Sequence, residues 1–353
     1  MRPAGSALLM ALGAMLFAPG VVRAGDPPAA PRGPQASGKS DDEALRAAAA
    51  ALRPALVHLT WVPTERPSAA ERRVGLVLGG SGPIVAAGPT PLTPGRWIAR
   101  REDGPSAEVP VLGRDPETFL TVLGSPWASM PAASDDRFPE GVGADDGADP
   151  RGMAVALVGA DGVLALGAVR ATERHVAVQV PSLGTAPSTG LLEAALAALP
   201  EDVGAPWVDA DGHVVALTVA VAASPGSEPE RPRPGPALGV PMGRARLVAS
   251  LLARHGAVPR GVLGVWTRPA DSALRAHLGV PGGHLVLRLD PTGAAAKAGL
   301  EIHDLLVGLG GRPLPEPLSL GDALLAYRPG QRVAVRIVRH GEVLEREVVL
   351  SPR

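Results

Sequence analysis

The stretch GAPWVDADGHVVAL, residues 204–217, decides the fold, because Asp211-Gly212 separates two apolar runs within it. An Asp-Gly pair between apolar segments is typical of a tight β-hairpin, since glycine adopts the positive φ that such turns need. Ala160-Asp161-Gly162 gives the same signal upstream. Short apolar segments continue on both sides at fairly regular spacing, at 57–62, 74–79, 96–101, 107–113, 118–124, 153–159, 163–171, 175–180, 213–221 and 237–242. Many short strands punctuated by Gly and Pro predict a mostly β fold of sandwich or barrel type.

Two stretches interrupt these strands, the acidic 131–151 and the proline-rich 224–236, and both are predicted to be exposed loops. Helices are predicted at 43–53 and at 243–255, the second an amphipathic segment with Gly256 as its stop.

From Arg260 onward the pattern changes to a mixture of strands and short helices. Strands are predicted at 284–289, 304–311, 332–339 and 342–350, the last two with alternating apolar residues, and helices near 271–278, 292–299 and 317–327. A stretch of this length, with helices over a small sheet, predicts one compact α+β domain.

The composition excludes several classes of protein. The chain has 353 residues, of which 46% are hydrophobic and 20% charged, enough to bury a core in about two domains. Cysteine is absent, which excludes disulfides, thiolate metal sites and a cysteine nucleophile, and a net charge of −1 gives no basic excess for nucleic acid. The eight histidines are scattered, so neither a metal nor a cofactor is predicted. A calcium loop at Asp145, Asp146 and Asp149 is the alternative to a solvated acidic loop.

The first 24 residues have the pattern of a secretory signal peptide. Arg2 precedes an apolar run from Leu8 to Phe17, and small residues at Val22 and Ala24 follow. This pattern predicts a periplasmic or secreted protein without a membrane span after cleavage; a retained anchor is the alternative, although the run is shorter than the ~20 residues of a spanning helix. The predicted division is signal peptide 1–24, flexible linker 25–42, β domain 43–258 and α+β domain 259–353.

Four motifs after residue 259 carry a resemblance to bacterial PDZ domains. They are RGVLGV at 260–265, DPTGAAAKAGL at 290–300, Asp304-Leu305-Leu306 before Gly310-Gly311-Arg312, and Arg328-Pro329-Gly330 before an alternating strand. The resemblance implies a Gly-rich loop whose N–H groups hold a carboxylate, next to an open strand edge on which an extended peptide pairs. The peptide-binding residues it implies are Arg260, Val262, Leu263, Gly264, Val265, Leu320, Leu324 and Tyr327. The alternative is that these side chains only pack the domain core.

The segment before residue 259 resembles the HtrA family, in which a trypsin-like serine protease of two β-barrels precedes PDZ domains. The resemblance is carried by PALVHL at 54–59, Gly80-Ser81-Gly82, GRDPETFLTVL at 113–123, the hairpin 204–217 and the helix segment 239–256. It implies a trypsin-like double β-barrel followed by an α+β PDZ domain.

The family's catalytic triad does not match this chain residue by residue. The positions that correspond to the histidine, the aspartate and the serine hold Pro89, Phe119 and Val203. None of these side chains supplies a base, an orienting acid or a nucleophile. We therefore expect no catalytic residues at this triad, a degenerate barrel domain and a protein that is not an enzyme.

Other residues leave an alternative open. Ser182 and Ser188 lie in an apparent insertion at 181–203 and are candidate nucleophiles, whereas His58 is expected to be a half-buried strand residue. The expected function is the binding of extended or C-terminal peptide segments of other proteins, in envelope protein quality control or regulation. The alternatives are an active serine endopeptidase of the HtrA type with relocated catalytic residues, and a homo-oligomer or regulatory subunit associated with an active homologue.

Overall fold

The structure is a computed structural model that describes residues 21–23, 39–79, 82–89, 93–102, 104–127, 150–180, 184–222, 232–314 and 320–352. The described chain begins with strand β1 (Val21–Arg23) and helix α1 (Lys39–Leu52). Helix α1 therefore starts inside the segment predicted as a linker, and the rest of the linker lies outside the described residues. The predicted signal peptide, apart from β1, also lies outside them and stays a prediction.

The first barrel domain is a seven-stranded antiparallel sheet. Its strands are β2 (Leu56–Pro63), β3 (Glu71–Val77), β4 (Ile84–Ala87), β5 (Gly95–Arg100), β6 (Ser106–Val109), β7 (Val111–Asp115) and β8 (Leu120–Leu123), in the order β6-β5-β2-β3-β4-β8-β7. Trp61 and Trp97 face each other across β2 and β5, with ring centroids 5.5 Å apart, inside the core of this sheet. Apolar residues on alternate positions of these strands supply the rest of that core.

The second barrel is closed. Its strands are β9 (Ala154–Gly159), β10 (Gly162–Val180), β11 (Gly184–Ala198), β12 (Pro206–Val208), β13 (Val214–Ala222) and β14 (Gly235–Pro241), and β9 pairs with both β12 and β10. Strand β1 pairs with β10 and β13. The predicted mostly β fold with a trypsin-like pair of barrels is confirmed. The interpretation of 181–203 as an insertion is wrong, because most of it is β11, which joins β10 to β14.

Helix α2 (Met242–His255) follows the second barrel and packs on β7 and β8 of the first sheet. Gly256 ends it in the left-handed conformation, with φ of 73° and its N–H bonded to the Leu252 carbonyl, as the sequence predicts. The contact with β7 is close, since a Cβ on Gly113 would lie 2.6 Å from the Gly256 carbonyl oxygen. Helix α2 therefore connects both barrels to the C-terminal residues.

The C-terminal residues form a small α+β unit. Its elements are β15 (Gly261–Val262), β16 (Val265–Pro269), α3 (Ser272–Leu278), β17 (His284–Leu289), α4 (Ala294–Lys297), β18 (Leu305–Leu309), β19 (Arg312–Pro313), α5 (Leu320–Leu324), β20 (Arg332–Arg339), β21 (Glu342–Val349) and β22 (Ser351–Pro352). The main sheet has the order β16-β17-β18-β20-β21, and β15 pairs with β22. Strand β16 is therefore an edge strand of this sheet. Within the described residues, no helix combines the length and hydrophobicity needed to cross a bilayer.

Candidate functional site

The three positions that correspond to the triad come together around Gly88, between the two barrels. The Gly88 N–H donates to the Phe119 carbonyl at 2.8 Å. A Cβ on Gly88 would lie 2.2 Å from Cγ1 of Val203, and Pro89 is the next residue along the chain. The motif alignment therefore selects residues that are neighbours in space, although they are far apart in sequence.

Phe119 lies at the turn between β7 and β8, with its side chain only 3% exposed. Its φ is 55°, an uncommon value for a residue with a large side chain. Asp115 stabilises the turn, since its Oδ2 accepts from the backbone N–H and from the hydroxyl of Thr118, at 3.2 and 2.5 Å. The conformation of Phe119 thus depends on a buried carboxylate four residues upstream.

Val203 follows a short 3₁₀ turn, Pro200–Asp202, and is 5% exposed. Its N–H donates to the Pro200 carbonyl at 3.4 Å, and the Gly204 N–H donates to the Thr218 carbonyl at 2.8 Å. Asp202 accepts from the Leu199 N–H at 2.7 Å, and burial of its carboxyl raises the pKa above the ordinary value, partly opposed by that bond. Position 203 therefore holds a buried apolar side chain, and the half-buried carboxyl of Asp202 lies next to it.

A buried cation that the sequence analysis missed lies against this region. The Arg73 guanidinium donates to the Pro89 carbonyl, to the Ala87 carbonyl at 3.5 Å and to Glu71 at 3.0 Å. It also lies over the Trp97 ring, 5.7 Å from the centroid. Burial lowers the pKa of Arg73, and Glu71 opposes that shift. No sequence signal distinguished this residue among the 34 lysines and arginines of the chain.

Two imidazole–carboxylate pairs occur among the described side chains. His58 Nε2 on β2 lies 3.4 Å from Asp161 of the β9–β10 turn, and therefore connects the two barrels. His58 is partly buried and Asp161 is 83% exposed. The second pair is His213 Nδ1 and Asp209, at 3.2 Å. Either pair has the chemistry of a general base with an orienting acid, whereas no serine hydroxyl is within bonding distance of either among the described contacts.

The hairpin at 204–217 also brings three polar residues together. The ligand atoms of Asp209, Asp211 and His213 lie within 4.8 Å of one another. Asp209 accepts from the backbone N–H groups of Asp211 and His213, at 3.0 and 2.8 Å, which closes the turn between β12 and β13. Turn closure explains this cluster without an ion.

The predicted carboxylate loop connects β15 to β16. Gly264 has φ of 74°, and a Cβ there would lie 3.1 Å from Cα of Gly293. The carbonyls of Leu263 and Gly264 accept from Ala295 and Asp290, whereas the N–H groups of Leu263 and Gly264 donate to no described residue. Asp290 is close to this loop, but its carboxylate accepts from the Thr292 N–H and hydroxyl, both at 2.9 Å, which lowers its pKa.

The predicted pocket residues are neighbours in one apolar cluster. Leu263 and Leu320 are buried members of the core of the C-terminal unit, and Val265, Leu324 and Tyr327 pack against that core while partly exposed. The Tyr327 hydroxyl donates to the Leu309 carbonyl at 3.2 Å. Val265, Leu324 and Tyr327 are therefore the members of this cluster that reach solvent, whereas Leu263 and Leu320 are buried beneath the surface. Val262 lies on β15, partly exposed.

Arg260 does not belong to this apolar cluster. Its guanidinium contacts Asp115 and Glu117 of the first barrel, with the Glu117 carboxylate 3.1 Å from Nε. Its side chain is therefore engaged between the barrel and the C-terminal unit, and its role in peptide binding stays a prediction. A second contact of this kind joins Arg244 of α2 to Asp322 of α5 at 2.6 Å.

Curated relatives cover most of this chain. A probable periplasmic serine endoprotease, DegP-like, from Chlamydia pneumoniae is 26% identical over 294 residues, 81% of this chain and 57% of the relative. Its Brucella suis counterpart is 26% identical over 71% of this chain and 46% of the relative. The periplasmic pH-dependent serine endoprotease DegQ of Escherichia coli K12 is 30% identical over 150 residues, 42% of this chain and 32% of the relative. The chain spans about half the length, or less, of these relatives.

Solved structures give the same answer for the fold. The HtrA-type protease AlgW with a tripeptide superposes with a TM-score of 0.62 at 22% identity, covering 87% of this chain and 96% of that one. A serine endoprotease from Yersinia pestis gives 0.55 at 19% identity, covering 87% and 97%. This chain is a homologue of the HtrA-type serine endoproteases. No family model matches the chain.

The homology with HtrA-type endoproteases overturns one expectation from the sequence. The prediction that the chain is not an enzyme is wrong, since the curated relatives are named serine endoproteases. The prediction rested on Pro89, Phe119 and Val203, positions selected by motif alignment. A catalytic group is recognised by its geometry and not by its position in the sequence. The hydrocarbon side chains of Pro89, Phe119 and Val203 therefore exclude a catalytic group at these three positions only.

Proposed function

We propose that this chain is a periplasmic HtrA-type serine endoprotease that acts on polypeptides. Its nucleophile is a serine elsewhere in the chain, because the aligned position 203 holds valine. We propose further that residues 259–353 form a PDZ-type domain that captures extended or C-terminal segments of its substrates. The observation that carries the proposal is the HtrA order of parts, two barrels followed by a small sheet with an open edge at β16. The names of the curated relatives support the proteolytic activity.

The capture step is supported by the carboxylate loop. The N–H groups of Leu263 and Gly264 donate to no described residue, so they are available to an anion. An extended peptide can add to the edge of β16 while its last side chain enters a proposed groove formed by Val265, Leu324 and Tyr327. One filled apolar pocket contributes about 1.5–3 kcal/mol, so we expect affinities on the order of micromolar.

For the cleavage step, His58 and Asp161 are the best-placed base and orienting acid among the described residues. The pair lies between the two barrels, where trypsin-like folds hold their cleft, and both groups reach solvent. Ser182 and Ser188 remain the candidate nucleophiles that the sequence singles out; Ser182 lies outside the described residues, and the backbone of Ser188 belongs to β11. The proposed nucleophile is therefore a serine outside the aligned motif.

The experiment treats the purified full chain with a fluorophosphonate probe and with labelled casein, then identifies the labelled serine by mass spectrometry. We expect a labelled serine and casein cleavage that His58→Gln reduces at least tenfold, with His213→Gln as the matched control. Absence of both labelling and cleavage overturns the endoprotease proposal. Peptide capture is tested separately with C-terminal peptides: wild type binds and Gly264→Glu does not, because a Cβ at this position would lie 3.1 Å from Cα of Gly293 at a strained φ of 74°.

A further inference from the structure

An aromatic–cation pair lies on the outer face of the edge strand. Trp266 of β16 is 50% exposed, although large aromatic side chains are usually buried. Arg288 of β17 is its cross-strand partner, and the guanidinium carbon lies 4.3 Å from the centroid of the Trp266 ring. A guanidinium at this distance over an aromatic face is attracted to it by a cation–π interaction, so this position of the positive charge is favoured.

The two faces of β16 differ in burial. Val265 and Thr267 are partly buried on the side of α5, whereas Trp266 and Arg268 are exposed on the other side. A peptide that pairs with β16 alternates its side chains in the same way. Every second side chain of the peptide therefore lies next to Trp266 or Arg268. These two residues lie on the opposite face of β16 from Val265 and the proposed groove.

The charges on this outer face are mainly positive. Arg268 pairs with Asp271 at 3.3 Å, and both side chains are exposed. Arg288 has no carboxylate within ion-pair distance among the described residues, and the Trp266 ring that holds it belongs to the edge strand itself. The backbone of Trp266 thus lies about one strand spacing, ~4.8 Å, from the line that an added peptide backbone would follow, and Arg288 reaches over the Trp266 ring from the next strand.

We propose that this outer face makes β16 selective for extended peptides with an acidic side chain at the position facing Trp266 and Arg288. The inference rests on the proposed peptide capture and adds the class of peptide preferred. A carboxylate there meets a cation that is already positioned and has no competing described partner. A lysine at the same position meets like charge, which raises the energy of the bound state.

The experiment uses the full chain and a C-terminal peptide that binds it, with Glu, Gln or Lys placed at each outward-facing position. By fluorescence anisotropy we expect Glu to bind roughly two- to fivefold more tightly than Gln, and Lys more weakly than Gln, at one position only. Raising the salt concentration should reduce the difference, because exposed charges are screened. Equal binding of the three peptides at every position overturns the inference.

Two variants assign the preference to Arg288. Arg288→Gln should abolish it and Arg288→Glu should reverse it, while Arg332→Glu, an exposed change on β20, should leave it unchanged. A preference that survives Arg288→Glu overturns the inference while leaving peptide capture intact. If no peptide of a C-terminal library binds the wild-type chain, peptide capture fails and the selectivity fails with it.

Discussion

Arg260 holds the buried carboxylate of Asp115 with both terminal nitrogens, Nη1 to Oδ1 and Nη2 to Oδ2, each at 2.7 Å. Asp115 is 1% exposed and lies at the end of β7, whereas Arg260 directly precedes β15. A fork of two parallel bonds gives strength and a fixed orientation. The same carboxylate also accepts a hydrogen bond from Thr118 in the turn that carries Phe119. Asp115 therefore links the start of the C-terminal unit to the turn between β7 and β8.

Loss of this fork should destabilise the protein strongly. Arg260→Gln leaves the Asp115 charge buried without its cation, and removing one partner of a buried pair costs about 3–5 kcal/mol. Urea unfolding of the full chain measures the change. The control is Arg332→Gln, whose pair with Glu347 is exposed on both sides and whose loss should cost about 1 kcal/mol or less. Equal effects of the two substitutions would contradict the role assigned to Arg260.

Gly88 and Val203 should be coupled energetically. Gly88→Ala places a methyl group 2.2 Å from Cγ1 of Val203 at a φ of 109°, so both overpacking and backbone strain oppose it. We expect a loss of about 2–4 kcal/mol in the wild type and a smaller loss in the Val203→Ala background. A double-mutant cycle should give a coupling of about 0.5–3 kcal/mol.

Gly79→Ala is the matched control for that cycle. Gly79 also has positive φ, 65°, but no atom lies within 4 Å of a Cβ added there. Its cost should therefore be backbone strain alone, roughly 1 kcal/mol, and independent of residue 203. Zero coupling between Gly88 and Val203 would show that residue 203 does not limit the space around Gly88.

The regular strands were predictable because alternation and turn residues report local structure. Strands 284–289 and 332–339 match β17 and β20, and the Asp211-Gly212 hairpin lies between β12 and β13. Strand β11 was missed because LLEAALAALP at 191–200 is rich in helix formers. Its conformation is imposed by pairing with β10 and β14, a tertiary effect that a single segment does not reveal.

The candidate sites were predictable to different degrees. The motifs selected Pro89, Phe119 and Val203, which are neighbours in the structure, and the predicted pocket residues, which lie around Leu263. This succeeded because motifs in the same order along the chain indicate the same topology. The motifs did not reveal that Arg260 is bonded to Asp115 or that Arg73 lies under Pro89. Each of those pairs joins segments whose approach is set by the fold, and an arginine carries no sequence signal for its partner.

The hydroxyl of Thr218 should stabilise the segment that carries Val203. It accepts from the Trp207 indole at 2.9 Å and donates to the Ala205 carbonyl at 2.8 Å, all within the core. Thr218→Val leaves the indole N–H buried without an acceptor, for a loss of about 1–3 kcal/mol in unfolding free energy. Thr218→Ser keeps the hydroxyl and should lose less. If the serine variant is as unstable as the valine variant, then packing and not the hydrogen bond determines the effect.

Asp202 should make stability depend on pH. Burial raises its pKa above the ordinary 3.8, so the folded state binds this proton more readily than the unfolded chain. Above pH 3.8 the contribution of Asp202 to stability therefore falls as pH rises, until the folded-state carboxyl is also ionised. Asp202→Asn removes that penalty, and its amide oxygen can still accept from the Leu199 N–H.

The stability difference between Asp202→Asn and wild type should therefore be larger at pH 7 than at pH 3, in favour of the variant. Urea unfolding at the two pH values measures the difference. Glu65→Gln, which removes an exposed carboxyl, controls for the general loss of one negative charge. A difference that is the same at both pH values for Asp202→Asn would mean that burial does not disfavour the ionised carboxyl beside Val203.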